Sequence, residues 1–495
     1  MKNIKVVLPV ILVLAIVLIG GGAYYAKNYA TPYNRWEASI WKSYNANQAD
    51  MTYKVSYNLV PEKYEEFTGI ALAEADKANI EFANELLKKS ILEMNYKLDW
   101  NKANPIDTKM QYSMVLLYDN NILADAVASM DENDISITMP SLITSTFFVN
   151  KAELFKTMNF DYKSFDFEKY VKIIESQKKN LAKADKKAYM GSFEAFFKDK
   201  VKKGEKIDLK LADGKTVKCT ELIVEMTFED YMKLLKEMKD IAKKDAGLRE
   251  YVRGLALAIA EEMLSSKDYE KLSLTKEDLE KAIEELKDAT AFEEDFSELF
   301  IGLDEMFAQM DTMATQMDLT YIMKYAVDSS NTMRGLTMDM DMGFVKAKYE
   351  LIINSLNKKV DFASYPDNKK INIMEMMGKG DEEVAKITEE IVKNAGDKIV
   401  NNKGLDSLMK DIMANINKLP EESRASIEAI ASEFNNNKEK FVKDMIDQII
   451  MTMSAPSPYE MSPDYNYEDM EYNYDMDGMD YQDIDLDSYD LDSMQ

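Results

Sequence analysis

Two hydrophobic rhythms alternate along the chain between residues 45 and 362. Met51, Tyr53, Val55, Tyr57 and Leu59 take odd positions, with Thr52, Lys54, Ser56 and Asn58 between them. Period two with one polar face predicts a half-buried strand. Leu92, Met94, Tyr96, Leu98 and Trp100 repeat it on even positions. Further strands are expected over 106–118 and 122–130, joined at Asp119-Asn120-Asn121, and at Ile135, Ile137 and Met139. Short strands separated by Asn/Asp clusters predict an antiparallel meander. A hairpin over 207–211 and 217–226 turns at Asp213-Gly214. Three more strands carry one apolar face each: Met317, Leu319, Tyr321, Met323, Tyr325 and Val327; then Leu336, Met338, Met340 and Met342; then Val345, Ala347, Tyr349, Leu351 and Ile353. Ser329-Ser330-Asn331 is the turn between the first two.

Helical spacing interrupts the strands. Tyr64, Phe67, Ala71, Ala75, Ala78, Phe82 and Leu86 form one stripe behind Pro61, which is placed to start a helix. Helical stretches run through 151–203, and Thr227 with Asp230 predicts a capping box. Helices follow over 249–264 and 276–287, the second capped by Thr275 with Asp278. From 381 to 453 the pattern is helical only: a stripe from Val384 to Ile391, a helix over 405–419, and a third from Pro420 towards Ile446 and Ile450. Gly378-Lys379-Gly380 is the expected linker before this section.

Long alternating strands with helices between them predict an α+β fold: one large, curved antiparallel sheet, half-barrel-like, with helices inserted against its concave face. Period two fixes which residues share that face. Tyr53, Val55, Tyr96, Met317, Leu319, Tyr321, Met338, Met340, Met342, Tyr349 and Leu351 are the expected lining of a common apolar interior. Methionines suit a surface that repacks around varied apolar ligands, although a plain methionine-rich core is the simpler alternative in a chain with 35 of them.

The two ends differ from this middle. Residues 6–26 carry no charge, and a helix of that length matches a hydrocarbon core of roughly 30 Å. Lys2 and Lys5 precede it, which favours a cytoplasmic stub over 1–5 and an extracytoplasmic remainder. No Ala-x-Ala follows the run, so an uncleaved signal anchor is expected; the alternative is cleavage after Ala23 or Ala26. In the juxtamembrane segment, 27–44, Trp36 and Trp41 belong either to the headgroup layer or to the first helix of the next domain, 35–44. The domain plan is then a 45–370 ectodomain, a 381–453 helical section and a 455–495 tail. That tail holds 13 acidic residues, no Lys or Arg, seven tyrosines and five methionines, a composition expected to be disordered.

Composition removes whole chemistries. The chain of 495 residues has no histidine and a single cysteine, Cys219. Histidine-based triads, histidine metal sites, disulfides and CxxC pairs are therefore excluded. A net charge of −27 argues against nucleic acid. Cys219 sits in a strand beside Val217 and Ile223 and is expected to be a packed thiol. Residues 473–478 resemble the first half of a calcium loop, but Ile484 stands where a bidentate Glu is needed, leaving weak cation association by a polyanion. Five Ser-x-x-Lys occurrences lack their companion motifs, and no phosphate-cradling glycine loop is present. No catalytic residue, cofactor or metal site is expected.

The anchor, the meander, the inserted helices and a last strand running into Lys359-Val360-Asp361-Phe362-Ala363-Ser364-Tyr365-Pro366 resemble the lipoprotein-carrier-like group of extracytoplasmic bacterial proteins. The layout also resembles uncharacterised anchored proteins of low-GC Gram-positive bacteria. The first likeness implies a half-barrel that shelters lipids or acyl chains, over about residues 45–370. The expectation is therefore a non-enzymatic, single-pass, membrane-anchored binding protein for a lipid, acyl group or apolar segment. The alternative is a structural or interaction protein of the cell envelope, whose tail meets a basic partner or cations.

Overall fold

The computed structural model describes residues 31–454 except 102–103, 158–164, 182, 273, 317–319 and 342. The expected anchor, cytoplasmic stub and acidic tail thus lie outside the described residues. No helix among the described residues is long and apolar enough to cross a membrane. One compact unit runs to Asp447; of the second, 448–495, the described part is the end of the last helix.

Among the described residues there are twelve strands: β1 (Gln48–Leu59), β2 (Ser90–Asp99), β3 (Lys109–Tyr118), β4 (Asn121–Met130), β5 (Asp134–Thr138), β6 (Ser145–Asn150), β7 (Val201–Lys210), β8 (Thr216–Thr227), β9 (Thr320–Asp328), β10 (Met333–Asp341), β11 (Val345–Leu356) and β12 (Lys369–Asn372). They form one open sheet in the order β12-β6-β5-β4-β3-β2-β1-β11-β10-β9-β8-β7. Every pairing is antiparallel except β12 with β6. The helices are α1 (Pro32–Tyr44), α2 (Pro61–Thr68), α3 (Glu74–Leu87), α4 (Lys151–Thr157), α5 (Phe167–Leu181), α6 (Lys186–Phe197), α7 (Phe228–Lys244), α8 (Ala246–Ser266), α9 (Asp268–Lys271), α10 (Lys276–Lys287), α11 (Ala289–Gln316), α12 (Ile373–Met377), α13 (Asp381–Val400), α14 (Lys403–Asn415), α15 (Glu421–Asn436) and α16 (Lys438–Ser454). The α+β class and the large antiparallel sheet expected from the pattern are present.

The turns explain the meander. Asp119 and Asn120 both take left-handed φ, 49° and 61°, the conformation a two-residue hairpin needs and Asn/Asp tolerate. Gly214 (φ 82°) and Asn331 (φ 56°) turn the β7–β8 and β9–β10 hairpins. Thr227 and Asp230 form the expected reciprocal capping box at the start of α7.

Four local expectations are corrected. The stripe from Tyr64 to Leu86 is two helices, because Gly69 adopts φ 69° and closes α2. The helix begun at Pro420 breaks at Asn437, giving α15 and α16. The last long strand ends at Leu356, and the segment running into Lys359–Pro366 is a strap without strand pairing. The 28-residue α11 fills a stretch where no element was expected.

Two large cores and a smaller one, Phe82 with Ile416 and Leu419, hold the described residues together. In one of the large pair, α1, α6 and α7 pack over β7 to β11. Trp36 is 2% exposed and lies among Phe193, Phe197 and Tyr325, with ring centroids 5.8, 4.7 and 5.7 Å away. This settles the two readings of Trp36: it is a core residue of the first helix. In the other, α5, α6, α8, α10 and α11 bury Tyr251, Leu248, Ile283, Phe292, Phe296 and Phe300. Gly247 permits close packing there, since a Cβ would fall 2.4 Å from the Lys183 carbonyl oxygen.

Asp268, 1% exposed, ties this helical core together. It pairs with Lys169 at 2.5 Å and Lys271 at 2.8 Å and accepts a hydrogen bond from the Tyr170 hydroxyl at 2.9 Å. Burial alone would raise its pKa; the hydrogen bonds from Lys169, Lys271 and Tyr170 outweigh it and hold the carboxyl well below the usual range. A lowered folded-state pKa adds stability above the unfolded value of about 3.9, which is lost as pH falls towards the folded value. Asp268→Asn is therefore expected to cost about 3 kcal/mol at neutral pH, because it strands two lysines. The deficit relative to wild type should shrink as pH falls below about 4; urea unfolding at both pH values measures it.

Candidate functional site

Strand register decides which expected lining residues share a face. Across β1 and β11, Tyr53 is opposite Leu351 and Val55 opposite Tyr349. Leu351 faces Leu336 and Tyr349 faces Met338, while Met340 lies between Ala347 and Tyr321. On the other side Met51 is opposite Tyr96, and Tyr96 opposite Tyr112. Tyr53, Val55, Tyr96, Tyr321, Met338, Met340, Tyr349 and Leu351 therefore lie on one face of one sheet. Met317, Leu319 and Met342 lie outside the described residues.

This face has two halves with different surroundings. Towards β8 it is packed: Leu222, Val224, Tyr325 and Ile353 are buried, with Leu351 and Tyr321 against the same aromatic core. Towards β5 it is open. Met114, Ile135 and Ile137 are 42, 38 and 45% exposed, and Ala128 is exposed beside Ile137. The pairings Tyr112–Ala128–Ile137 place three of these strands' apolar positions in one row. Tyr53 and Tyr96 stand between the halves, half-buried; burial raises both phenol pKa values, and the proximity of Tyr96 adds to that of Tyr53. Both are neutral hydrogen-bonding groups on an otherwise apolar surface.

Beyond the expected lining, the sequence reading did not single out Tyr112, Met114, Ala128 and Ile137 as site residues. Their signal was the same period-two alternation, carried across the three strands beyond the candidate set, β3, β4 and β5.

The opposite face is polar. Thr52 donates to Asn95 at 2.7 Å, and Asn354 donates to Asp50 and Thr52 at 2.9 and 3.1 Å. The strap over 357–368 lies against this side. Gln111 and Ala363 exchange two hydrogen bonds of 2.9 Å, Lys97 donates to the Asp361 carbonyl at 2.6 Å, and Asn368 donates to Thr138 at 3.0 Å. A cavity of about 210 Å³ between strap and sheet is lined by Asn95, Lys97, Gln111, Asn354 and Tyr365, among others. Its polar groups largely satisfy one another, so it reads as a hydrogen-bonded seam.

Among the described residues no group of three or more acidic or cysteine side chains could hold a metal ion. Cys219 is buried, and burial pushes its thiol up to about 11, so it is protonated at neutral pH and is no nucleophile. No family model, curated protein or solved structure matches the chain.

The face assignment has a direct test. Met340→Asp places a charge among Ala347 and Tyr321 and should destabilise the protein by about 2 kcal/mol or more. Asp341, exposed and 3.2 Å from Lys346, also accepts a hydrogen bond from Gly343 N, which Asn can keep. Asp341→Asn should therefore change stability by no more than about 0.5 kcal/mol. Urea unfolding of both variants checks the contrast, and a reversed order would reverse the faces.

Proposed function

We propose that this chain is a membrane-anchored, extracytoplasmic, non-catalytic binding protein whose curved, half-barrel-like sheet shelters a lipid, acyl group or apolar segment on its open half. The observation that carries this reading is the row of exposed apolar side chains on β3, β4 and β5, continuous by register with a packed apolar face. Soluble surfaces rarely leave such rows bare without an occupant. The helices covering the neighbouring half fit the role of plugs against a concave face. Methionine at positions 94 and 114, with tyrosine hydroxyls at 53, 96 and 112, suits a ligand with a long apolar body and a sparse polar end. The uncharged run over 6–26 would hold this face beside a bilayer, where such ligands are found.

The second reading, an interaction protein of the cell envelope, draws on the same row. An open patch beside a filled core suits a partner protein as well as a ligand. The two readings separate by experiment. Full-length protein extracted in mild detergent should carry stoichiometric lipid, detected by mass spectrometry. The double variant Met114→Gln/Ile137→Gln should lose about nine-tenths of it. Because both sites are exposed, its stability should change by no more than about 1 kcal/mol. Wild-type protein that carries no lipid, and takes up no fluorescent fatty acid, would leave the envelope-contact reading.

A further inference from the structure

A second concavity lies away from the apolar row, beside α1. It encloses about 690 Å³, and Arg35, Lys206 and Lys218 line it together with Asp208, Ser329 and Asn331. Three cations against one carboxylate stand out in a chain of net charge −27. The surplus is local: residues 200–218 hold seven lysines against three acidic residues. Neither Lys206 nor Lys218 forms an ion pair with any described residue, and both are exposed. Asp208, opposite Lys218 across the β7–β8 ladder, is the one carboxylate beside them, so the pocket keeps a net positive charge.

Arg35 is positioned. Its Nε donates to the Asn331 side-chain oxygen at 3.0 Å and its Nη2 to the Asp328 carbonyl at 3.4 Å. Asn331 is itself fixed by the β9–β10 turn. There Asp328 accepts from the Ser330 and Thr332 backbone N–H groups at 2.8 and 3.0 Å and pairs with Arg334 at 2.8 Å. Arg334 compensates the Asp328 carboxylate, so that carboxylate does not compete for Arg35. The guanidinium is thus held by one edge, and its Nη1 has no partner among the described residues.

We infer that this pocket is a phosphoryl-binding site, with Arg35 as the oriented donor and Lys206 and Lys218 as point charges. A planar guanidinium with one edge pre-fixed meets phosphate oxygens at small entropic cost, and lysines add charge without demanding geometry. The source of the phosphoryl group is a lipid headgroup or free phosphate. Chain connectivity brings a headgroup within reach. Thr31 caps α1 one turn before Arg35 and lies five residues past the uncharged 6–26 run. Five extended residues span at most about 18 Å. Only this choice of source depends on the run being a membrane span.

The test uses the full-length chain in a neutral maltoside detergent. Calorimetric titration takes inorganic phosphate in one arm and micelles doped with phosphatidylglycerol, against diacylglycerol, in the other. Wild type should bind in at least one arm, and the arm identifies the source. Lys206→Gln/Lys218→Gln should weaken that binding by about tenfold or more, as lost charge-assisted hydrogen bonds do. Arg35→Lys should also weaken it, since a mobile point charge replaces the planar fork that Asn331 and the Asp328 carbonyl hold in place. Lys440→Gln/Lys443→Gln removes the same charge elsewhere and should leave binding within about twofold. Three outcomes overturn the assignment: no binding in either arm, equal weakening by the remote pair, or binding that appears only when 455–495 is deleted. The last would seat the acidic tail in the pocket. Because these lysines lie outside the apolar row, failure here leaves lipid retention by Met114 and Ile137 untouched.

Discussion

The pairing of β1 with β11 is the constraint on which the rest of the structure depends. These strands are about 300 residues apart in sequence, yet they align over their full length, from Ala49 opposite Leu356 to Leu59 opposite Val345. The β2–β6 meander hangs from one side of this pair and β10–β7 from the other. Without it there are two smaller sheets, each with a bare edge. Closing so long a loop costs entropy that only a well-specified interface repays. Alternation supplies the specification, because a one-residue slip would turn Tyr53, Val55, Tyr349 and Leu351 outward and Lys54, Lys348 and Glu350 inward.

One face, then, carries a single apolar composition but meets two environments. Over β8–β11 the helices α1, α6 and α7 deliver Trp36, Phe193, Phe197 and Leu234, whose volumes fill the space above Leu222, Val224 and Tyr325. Over β3–β5 the side chains turned to that face are mixed in size: Tyr112, Met114, Leu116 and Tyr118 on β3, Ala126 and Ala128 on β4, Ile135 and Ile137 on β5. Helix α14 covers the β3–β4 hairpin end, where buried Tyr118 donates to Asp411, so the exposed remainder is the row Met114, Ala128, Ile135 and Ile137. That imbalance, more than any one residue, argues for an occupant on the open half. The strap on the reverse side adds rigidity without altering it, since its bonds to Gln111, Thr138 and Lys97 fix the polar side of the same strands.

Much of this was legible in the sequence, and the reasons are particular. Period two in β1, β2, β10 and β11 was clean because one face is polar throughout, so the shared face of Tyr53, Tyr96, Met338 and Leu351 followed from counting. The Asp119-Asn120, Asp213-Gly214 and Ser330-Asn331 turns carry residues suited to positive φ. What was hidden had other causes. The strand β6 reads Ser-Thr-Phe-Phe-Val-Asn, with no alternation because both of its faces are partly covered. The parallel strand β12 is four residues long, too short to carry a period. Helix α11 announced itself only through phenylalanines at 292, 296 and 300, a spacing of four that a strand-oriented reading passed over. The cationic pocket was invisible in sequence because Arg35 and Lys206 meet only through the fold.

The sheet's two edges show how one composition can serve two ends. An open sheet exposes unpaired backbone groups at each edge, a template for unwanted pairing. One edge, β12, is blunted by shortness. The other, β7, is ten residues long and needs a chemical defence: Lys202, Lys203, Lys206 and Lys210 are all exposed along it. A register shift between Lys203 and Lys206, where Gly204 and Glu205 together stand opposite Glu221, further spoils the template. A second copy approaching in register would bring these lysines against their own kind. The same repulsion that discourages self-pairing is an attraction for anions, and it acts where the β7–β8 hairpin passes the positioned guanidinium of Arg35. Protection of the edge accounts for lysines spread along the strand. It does not account for Arg35 being held by Asn331 and the Asp328 carbonyl in the pocket that Lys206 and Lys218 also line, and that part of the arrangement is what the proposed phosphoryl site would use.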